Sequence, residues 1–198
     1  VNHGMLQMEE ELHHSDIIDV FGFWLYIMTD CILFGTLFAT FIVLNYQNNS
    51  VGLLKNHINL STVLMETFFL LASNFTFCLS ILSLYKNKIK HTQLWLVLTF
   101  ILGASFITLE INEFMLLATH GFRWDLNGQA SSFFTLVGTH GLHVSCGLLW
   151  IIIMIIQLFL FKHSNTALRR MTYLGLFWNF LDIVWIFIFT VVYLMGVL

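Results

Sequence analysis

Residues 94–118 read LWLVLTFILGASFITLEINEFMLLA, an apolar run that holds no Lys, Arg or Pro and two carboxylates, Glu110 and Glu113. A membrane-crossing helix needs about 20 mainly apolar residues, so this run is long enough to span a bilayer. Four other stretches meet the same test, and the predicted spans are about 20–44, 62–85, 94–118, 130–161 and 172–196. Composition agrees. The chain is 58% hydrophobic and 10% charged with a mean hydropathy of +0.84, whereas soluble domains run at about 45–50% apolar and about 25% charged. A water-soluble fold of 198 residues lacks the interior volume to hide that much apolar surface. Disorder, collagen and coiled coil are excluded, and the net charge of -3 excludes a basic nucleic-acid-binding domain. The expected fold is an all-α integral membrane protein: a polar N-terminal tail over 1–19, then a single bundle of five transmembrane helices over 20–198.

The chain has no proline, so every span is expected to run as an unbroken helix, which argues against transporters built on broken helices. The tail is acidic, with Glu9, Glu10, Glu11, Asp16 and Asp19, and lacks the basic flank of a secretory signal. The first span is therefore expected to be retained. Cys31, Cys78 and Cys146 lie inside apolar stretches without a C-x-x-C spacing and read as small buried hydrophobes. Of the eight Lys and Arg residues, Lys86, Lys88, Lys90, Lys162, Arg169 and Arg170 flank the second and fourth connections, and Lys55 and Arg123 the first and third. The positive-inside rule then predicts the second and fourth loops and the N-terminus in the cytoplasm, with the C-terminus outside.

Polar residues at membrane depth are the candidate functional groups. Asp30, Glu66, Glu110, Glu113, His140, His143 and Asp182 all fall within the predicted spans. Each is costly in lipid, so each should face protein or trapped water. Counting along the helices at about 1.5 Å per residue places Asp30, His140 and Asp182 near the midplane. The same count puts Glu66, Glu110 and Glu113 in an outer carboxylate layer. Two pairs have i,i+3 spacing, His140 with His143 and Glu110 with Glu113, and so share a helix face. Facing imidazole and carboxylate pairs can build a metal site in a bundle, but no E-x-x-H occurs here, and hydrogen-bonded packing groups are the competing reading. Bis-histidine haem needs ligands on two helices, and both intramembrane histidines lie on the fourth. The Glu110–Glu113 pair reads either as a proton relay or as acids that stitch helices together. Trp24, Trp95, Trp124, Trp150 and Tyr85 sit near predicted span ends as an interfacial belt, while Trp178 and Trp185 lie deeper, on either side of Asp182. Two further functions stay open on these residues: a proton-coupled transporter using Asp30, Glu66 and Glu110, and an intramembrane metalloenzyme using His140, His143, Glu110 and Glu113.

Longer stretches carry a resemblance. Residues 133–144 read F-F-T-L-V-G-T-H-G-L-H-V, and residues 176–196 read L-F-W-N-F-L-D-I-V-W-I-F-I-F-T-V-V-Y-L-M-G. Both resemble subunit III of haem–copper terminal oxidases, in which G-x-H-G-x-H-V and W-H-F-x-D-x-V-W are hallmark stretches. F-G-F-W-L-Y-I-M-T-D-C-I-L-F at 21–34 and V-L-M-E-T-F-F-L-L at 63–71 look like its quinol-oxidase branch, of the cytochrome bo type. A five-span form also fits that branch.

The resemblance implies an accessory subunit of a proton-pumping ubiquinol oxidase in a bacterial inner membrane. It further implies no catalytic, cofactor-binding or metal-binding residue on this chain. Haem and copper would reside in the partner subunit I, with subunits II and IV as further partners, structural phospholipid in a cleft, and no nucleic acid. In one place the sequence departs from the pattern: Asn179 stands where the family motif has histidine. An amide keeps a hydrogen bond but cannot become a cation, so a packing role carries over and an imidazolium role beside Asp182 does not. Asp30 occupies the place of a family carboxylate that faces the catalytic subunit.

Overall fold

A computed structural model describes residues 2–48, 60–86, 88–119, 128–160 and 165–194. Among these residues the chain is all helix: α1 (Asn2–Asn48), α2 (Leu60–Tyr85), α3 (Ile89–Thr119), α4 (Gly128–Leu160) and α5 (Asn165–Ile188), the last running into a π-helical turn at Phe189–Leu194. Five segments are long and apolar enough to cross a membrane: Val20–Leu44, Ser61–Tyr85, Ile89–Thr119, Ala130–Leu160 and Ala167–Val192.

The helices outrun the apolar stretches. The third span starts at Ile89 rather than at 94 and the fifth helix at Asn165 rather than at 172, because Lys90, His91, Arg169 and Arg170 are good enough helix formers to continue the turn. At the head of α3 the Thr92 N–H donates to the Lys88 carbonyl at 3.0 Å. The acidic segment expected as a tail is helical too, continuous with the first span. Hydropathy marks what lies in lipid, not where hydrogen bonding stops.

The expectation of an uninterrupted α-helix fails at the end of α5. The widened turn falls on the β-branched run Thr190, Val191 and Val192, whose side chains crowd the preceding turn. There the Thr190 hydroxyl donates to the Ile186 carbonyl at 2.8 Å. Lack of proline removes one cause of helix irregularity and leaves this one.

The chain divides into two compact units, Val1–Thr36 and Leu37–Leu198. In the first, Ile27, Asp30 and Phe34 are buried, while Phe21, Trp24, Met28 and Ile32 are exposed. In the second, α2 packs on α3 and on α5, and α4 packs on the same two, which closes a four-helix ring. The last turns of α1 join it: the Phe38 and Phe187 rings meet edge-on at 6.3 Å.

Small residues let α2 and α3 approach closely. Ser73, Thr76 and Ser80 form a buried stripe on α2 and face Thr92, Thr99 and Gly103 of α3. The Thr76 and Thr99 hydroxyls lie 2.8 Å apart across the seam. At the centre sits Trp178, fully buried, whose indole N–H donates to the Ser73 hydroxyl at 3.1 Å. Its ring fills space left by two glycines: a Cβ on Gly103 would lie 3.2 Å from it and one on Gly147 only 2.8 Å.

The outer surface is apolar, with Phe68 and Phe75 of α2, Ile101 of α3, Leu149 of α4 and Ile183 of α5 all exposed. That is the inside-out pattern expected where lipid or a neighbouring subunit is the solvent. Cys31, Cys78 and Cys146 belong to this surface rather than to the interior predicted for them. In a membrane an apolar sequence context no longer implies a buried position.

Gly147→Ala is expected to destabilise the bundle by about 1–3 kcal/mol, because the rigid Trp178 ring cannot yield. Gly103→Ala should cost less, since its tightest contact is the flexible end of Leu148, and Gly138→Ala should be neutral, with nothing within 4 Å. Thermal aggregation midpoints of the detergent-solubilised variants would check that order.

Candidate functional site

Four helices send side chains to one level of the bundle. Trp185 of α5 is buried, and its indole N–H donates to the Thr67 hydroxyl of α2 at 3.0 Å. Its ring stacks on His140 of α4, with centroids 5.3 Å apart and planes 28° apart. Phe106 of α3 meets Trp185 edge-on at 4.7 Å and His140 edge-on at 6.0 Å. His140, fully buried, is thus clamped between an indole face and a phenyl edge.

The carboxylates sit beside this clamp. Glu110 is one turn beyond Phe106 on α3, and its carboxyl group lies over Gly141, the residue after His140. A Cβ at Gly141 would come within 2.9 Å of Glu110 Oε2 and 3.0 Å of Oε1. Glycine here makes the room that the carboxyl group occupies. Glu66, fully buried next to Thr67, has both Glu113 and Glu110 as like-charge neighbours. Neither oxygen of Glu66 nor Oε1 of Glu110 has a hydrogen-bond partner among the described residues.

This geometry corrects the two-layer picture drawn from residue counting. Glu110 is at the level of His140, not in a separate outer layer. The count rested on predicted span ends, and α3 and α4 each run past those ends, so a difference of two residues in depth, about 3 Å, does not separate layers. His143, half-buried, turns its Nδ1 to the Thr139 carbonyl of its own helix at 2.8 Å, and a carbonyl only accepts, so Nδ1 carries the hydrogen. The two i,i+3 histidines are close but differ in surroundings.

A second polar group joins α2 to α5. The Asn74 amide N–H donates to the Asn179 side-chain oxygen at 2.5 Å. Asp182, buried between the two tryptophans in sequence, is the next polar neighbour of Asn74, although neither of its oxygens completes a well-formed hydrogen bond among the described residues. Asn179 therefore keeps the hydrogen-bonding half of what a histidine offers there. Asp30 is buried on α1, in the N-terminal unit. His57, His120, Arg123, Trp124 and Lys162 lie outside the described residues.

Among the described residues no three His, Cys, Asp or Glu side chains come together as a group able to hold a metal ion. What the arrangement does offer is a set of acids and an imidazole locked among aromatic rings. Sequence reading missed Thr67 and Ser73 as the acceptors of the two indoles, Asn74 as the partner of Asn179, and Gly141 as the seat of Glu110. One signal was present: an Asn at the centre of an apolar span is as costly as a carboxylate is conspicuous.

Thr67→Val leaves the Trp185 N–H without its acceptor and is expected to cost about 1 kcal/mol. Trp185→Phe should cost less in the Thr67→Val background than in the unaltered protein, because there it also removes a stranded donor. Unfolding midpoints of the two single variants and the double variant would show a non-additive cycle.

Relatives place this architecture. The family model for cytochrome c oxidase subunit III matches residues 13–197. The chain is 50% identical over 192 residues to a Pseudomonas aeruginosa protein named cytochrome bo(3) ubiquinol oxidase subunit 3, covering 96% of this chain and 90% of that one. A Buchnera aphidicola protein of the same name is 44% identical over 180 residues, covering 90% and 92%. The quinol oxidase subunit 3 of Bacillus spizizenii is 40% identical over 181 residues, covering 90% and 88%. With a match across almost its whole length and five spans to go with it, this chain belongs to the cytochrome c oxidase subunit III family.

Proposed function

We propose that the chain is the accessory third subunit of a proton-pumping, cytochrome bo-type ubiquinol oxidase in a bacterial inner membrane. Its identity of 50% over 96% of its length to a protein of that name carries the assignment. Electrons pass from quinol to oxygen on centres held by subunit I, with haem and copper there and none on this chain. Subunits II and IV complete the assembly, and phospholipid fills the cleft. Residues 1–19 form a polar cytoplasmic tail, and 20–198 form the single five-helix transmembrane domain.

The role of this chain's own residues is to hold helix register and shield a neighbour from lipid. Glu66, Glu110, Glu113, His140, His143, Asn179 and Asp182 specify how α2 to α5 pack, and Asp30, buried on α1, serves the packing of that helix. Polar groups that meet across a helix seam, as Asn74 and Asn179 do, fix an arrangement more than they add stability. The helices also bear on the alternatives. A transporter of the discontinuous-helix type needs spans interrupted at its binding site, whereas α2, α3 and α4 run unbroken through the membrane.

Basic residues support the orientation. Lys86, Lys88 and Lys90 sit at the α2–α3 turn and Arg169 and Arg170 at the head of α5, which is the same end of the antiparallel ring. With that end in the cytoplasm, the N-terminus is inside and the C-terminus outside.

An affinity tag on this chain, after gentle detergent extraction, should retain a larger haem-bearing subunit and quinol-dependent oxygen consumption; recovery of the chain alone would defeat the assignment. In that complex, Asp30→Asn and His140→Leu should reduce the number of turnovers before inactivation. Unchanged retention, lifetime and proton stoichiometry in both variants would remove the supporting role. A thiol placed by Lys88→Cys, with the three native cysteines replaced, should react with an impermeant maleimide in inverted vesicles and not in intact spheroplasts. The reverse pattern would invert the topology.

A further inference from the structure

Asn179 is exposed on the surface of the four-helix unit, yet it stands near the middle of the Ala167–Val192 span, and its partner Asn74 stands near the middle of Ser61–Tyr85. At 1.5 Å per residue, about 15–20 Å of helix separates the pair from either membrane face. Its side-chain oxygen is committed inward, to the Asn74 amide. That leaves the Asn179 amide N–H groups on the outer side, with no partner among the described residues. Its nearest exposed neighbours are apolar: Ile183 and Ile186 follow on α5, and Leu71 and Phe75 flank Asn74 on α2.

An exposed donor at this depth has few possible acceptors. Hydrocarbon offers none, and a lipid headgroup or ester carbonyl sits at the bilayer surface, out of reach. The backbone carbonyls of a neighbouring helix are bonded to its own N–H groups and screened by its side chains. A side chain carried into the midplane by another protein helix is the acceptor that best fits this place.

We propose that the α2–α5 seam at Asn74 and Asn179 is a docking face for a transmembrane helix of another subunit, which places a hydrogen-bond acceptor side chain (Ser, Thr, Asn, Gln or a carboxyl) against the Asn179 amide. The proposal rests on the reading of the chain as an oxidase subunit and adds to it where, and by what chemistry, a neighbour attaches. Complementarity is specific: the Asn74 bond fixes which end of the Asn179 amide faces outward, so the seam selects an acceptor and rejects a purely apolar helix. Ile183, Ile186, Leu71 and Phe75 supply the close-packing surround.

The test uses the whole complex, purified through a tag on its haem-bearing subunit. With the photo-reactive amino acid p-benzoylphenylalanine in place of Ile183, irradiation should give a covalent adduct to a second subunit. Peptide mapping should place an acceptor side chain within about one turn of the cross-link. An adduct confined to phospholipid, or to the first helix of this same chain, overturns the proposal. Independently, Asn179→Leu should weaken retention of this chain through detergent washing by about three- to twenty-fold, the range measured for hydrogen bonds between membrane helices. Asn179→Gln should restore part of it, and undiminished retention in Asn179→Leu also overturns the proposal. Absence of this chain from the haem-bearing complex in the unaltered protein would instead sink the subunit assignment, and this docking face with it.

Discussion

An indole N–H buried among apolar helices must find an acceptor that water cannot supply, and two such groups set the register of this bundle. Trp178 and Trp185 lie two turns apart on α5, and both donate to hydroxyls on α2, Ser73 and Thr67. Each ring then extends onto the other two helices, Trp178 against Gly103 and Gly147, and Trp185 against Phe106 and His140. Sliding α5 by one turn would strip both donors at once and drive both rings into side chains. Small residues are the counterpart of that demand at Trp178, which fits because α3 and α4 carry Gly103 and Gly147 at the facing positions.

The same constraint organises the acids. Glu110 is accommodated because Gly141 offers no side chain at the point where its carboxyl group rests. Glu66 is buried beside the Thr67 hydroxyl that receives the Trp185 bond. Carboxyl groups and aromatic clamp are therefore one construction: displacing either disturbs the other through residues adjacent in sequence. The groups that are bonded across the seam, the two indole N–H donors and the Asn74–Asn179 pair, add little net stability but penalise any other helix arrangement, in which they would be stranded. That suits the role proposed for this chain, in which a defined surface meets a neighbour.

Much of this was legible in the amino-acid sequence, and the limits are physical. Apolar runs such as 94–118 reveal spans because lipid thickness dictates their length. They do not reveal helix ends, since Lys90, Arg169 and the acidic segment before the first span are compatible with helix outside lipid. Depth by residue counting misplaced Glu110 because apolar runs do not fix span ends to within a turn, and which side chains share a level is a tertiary property. The cysteines were misassigned for a related reason: apolar surroundings in sequence mean burial in water but only membrane depth here. Trp178 and Trp185 stood out by their position, yet their acceptors, Ser73 and Thr67, are ordinary residues until α2 and α5 are seen together. Asn179 was read as keeping a hydrogen bond, and it does, to a partner 105 positions away that no local pattern discloses.

Asn179 also shows how the interior and the exterior of such a subunit are linked. Inside the seam its oxygen helps tie α5 to α2, and outside it the remaining donors face a medium that cannot solvate them. A histidine at this position would present a ring nitrogen that accepts or donates according to its protonation, whereas the amide is a donor on its outer side at any pH while the Asn74 bond holds. The substitution therefore trades a switchable contact for a fixed one. If register within the bundle is set by the tryptophans and the amide is oriented by Asn74, the surface offered to a neighbour is determined by the core beneath it. A change buried at Trp178 would then be felt at the docking face through α5, without touching any residue of that face.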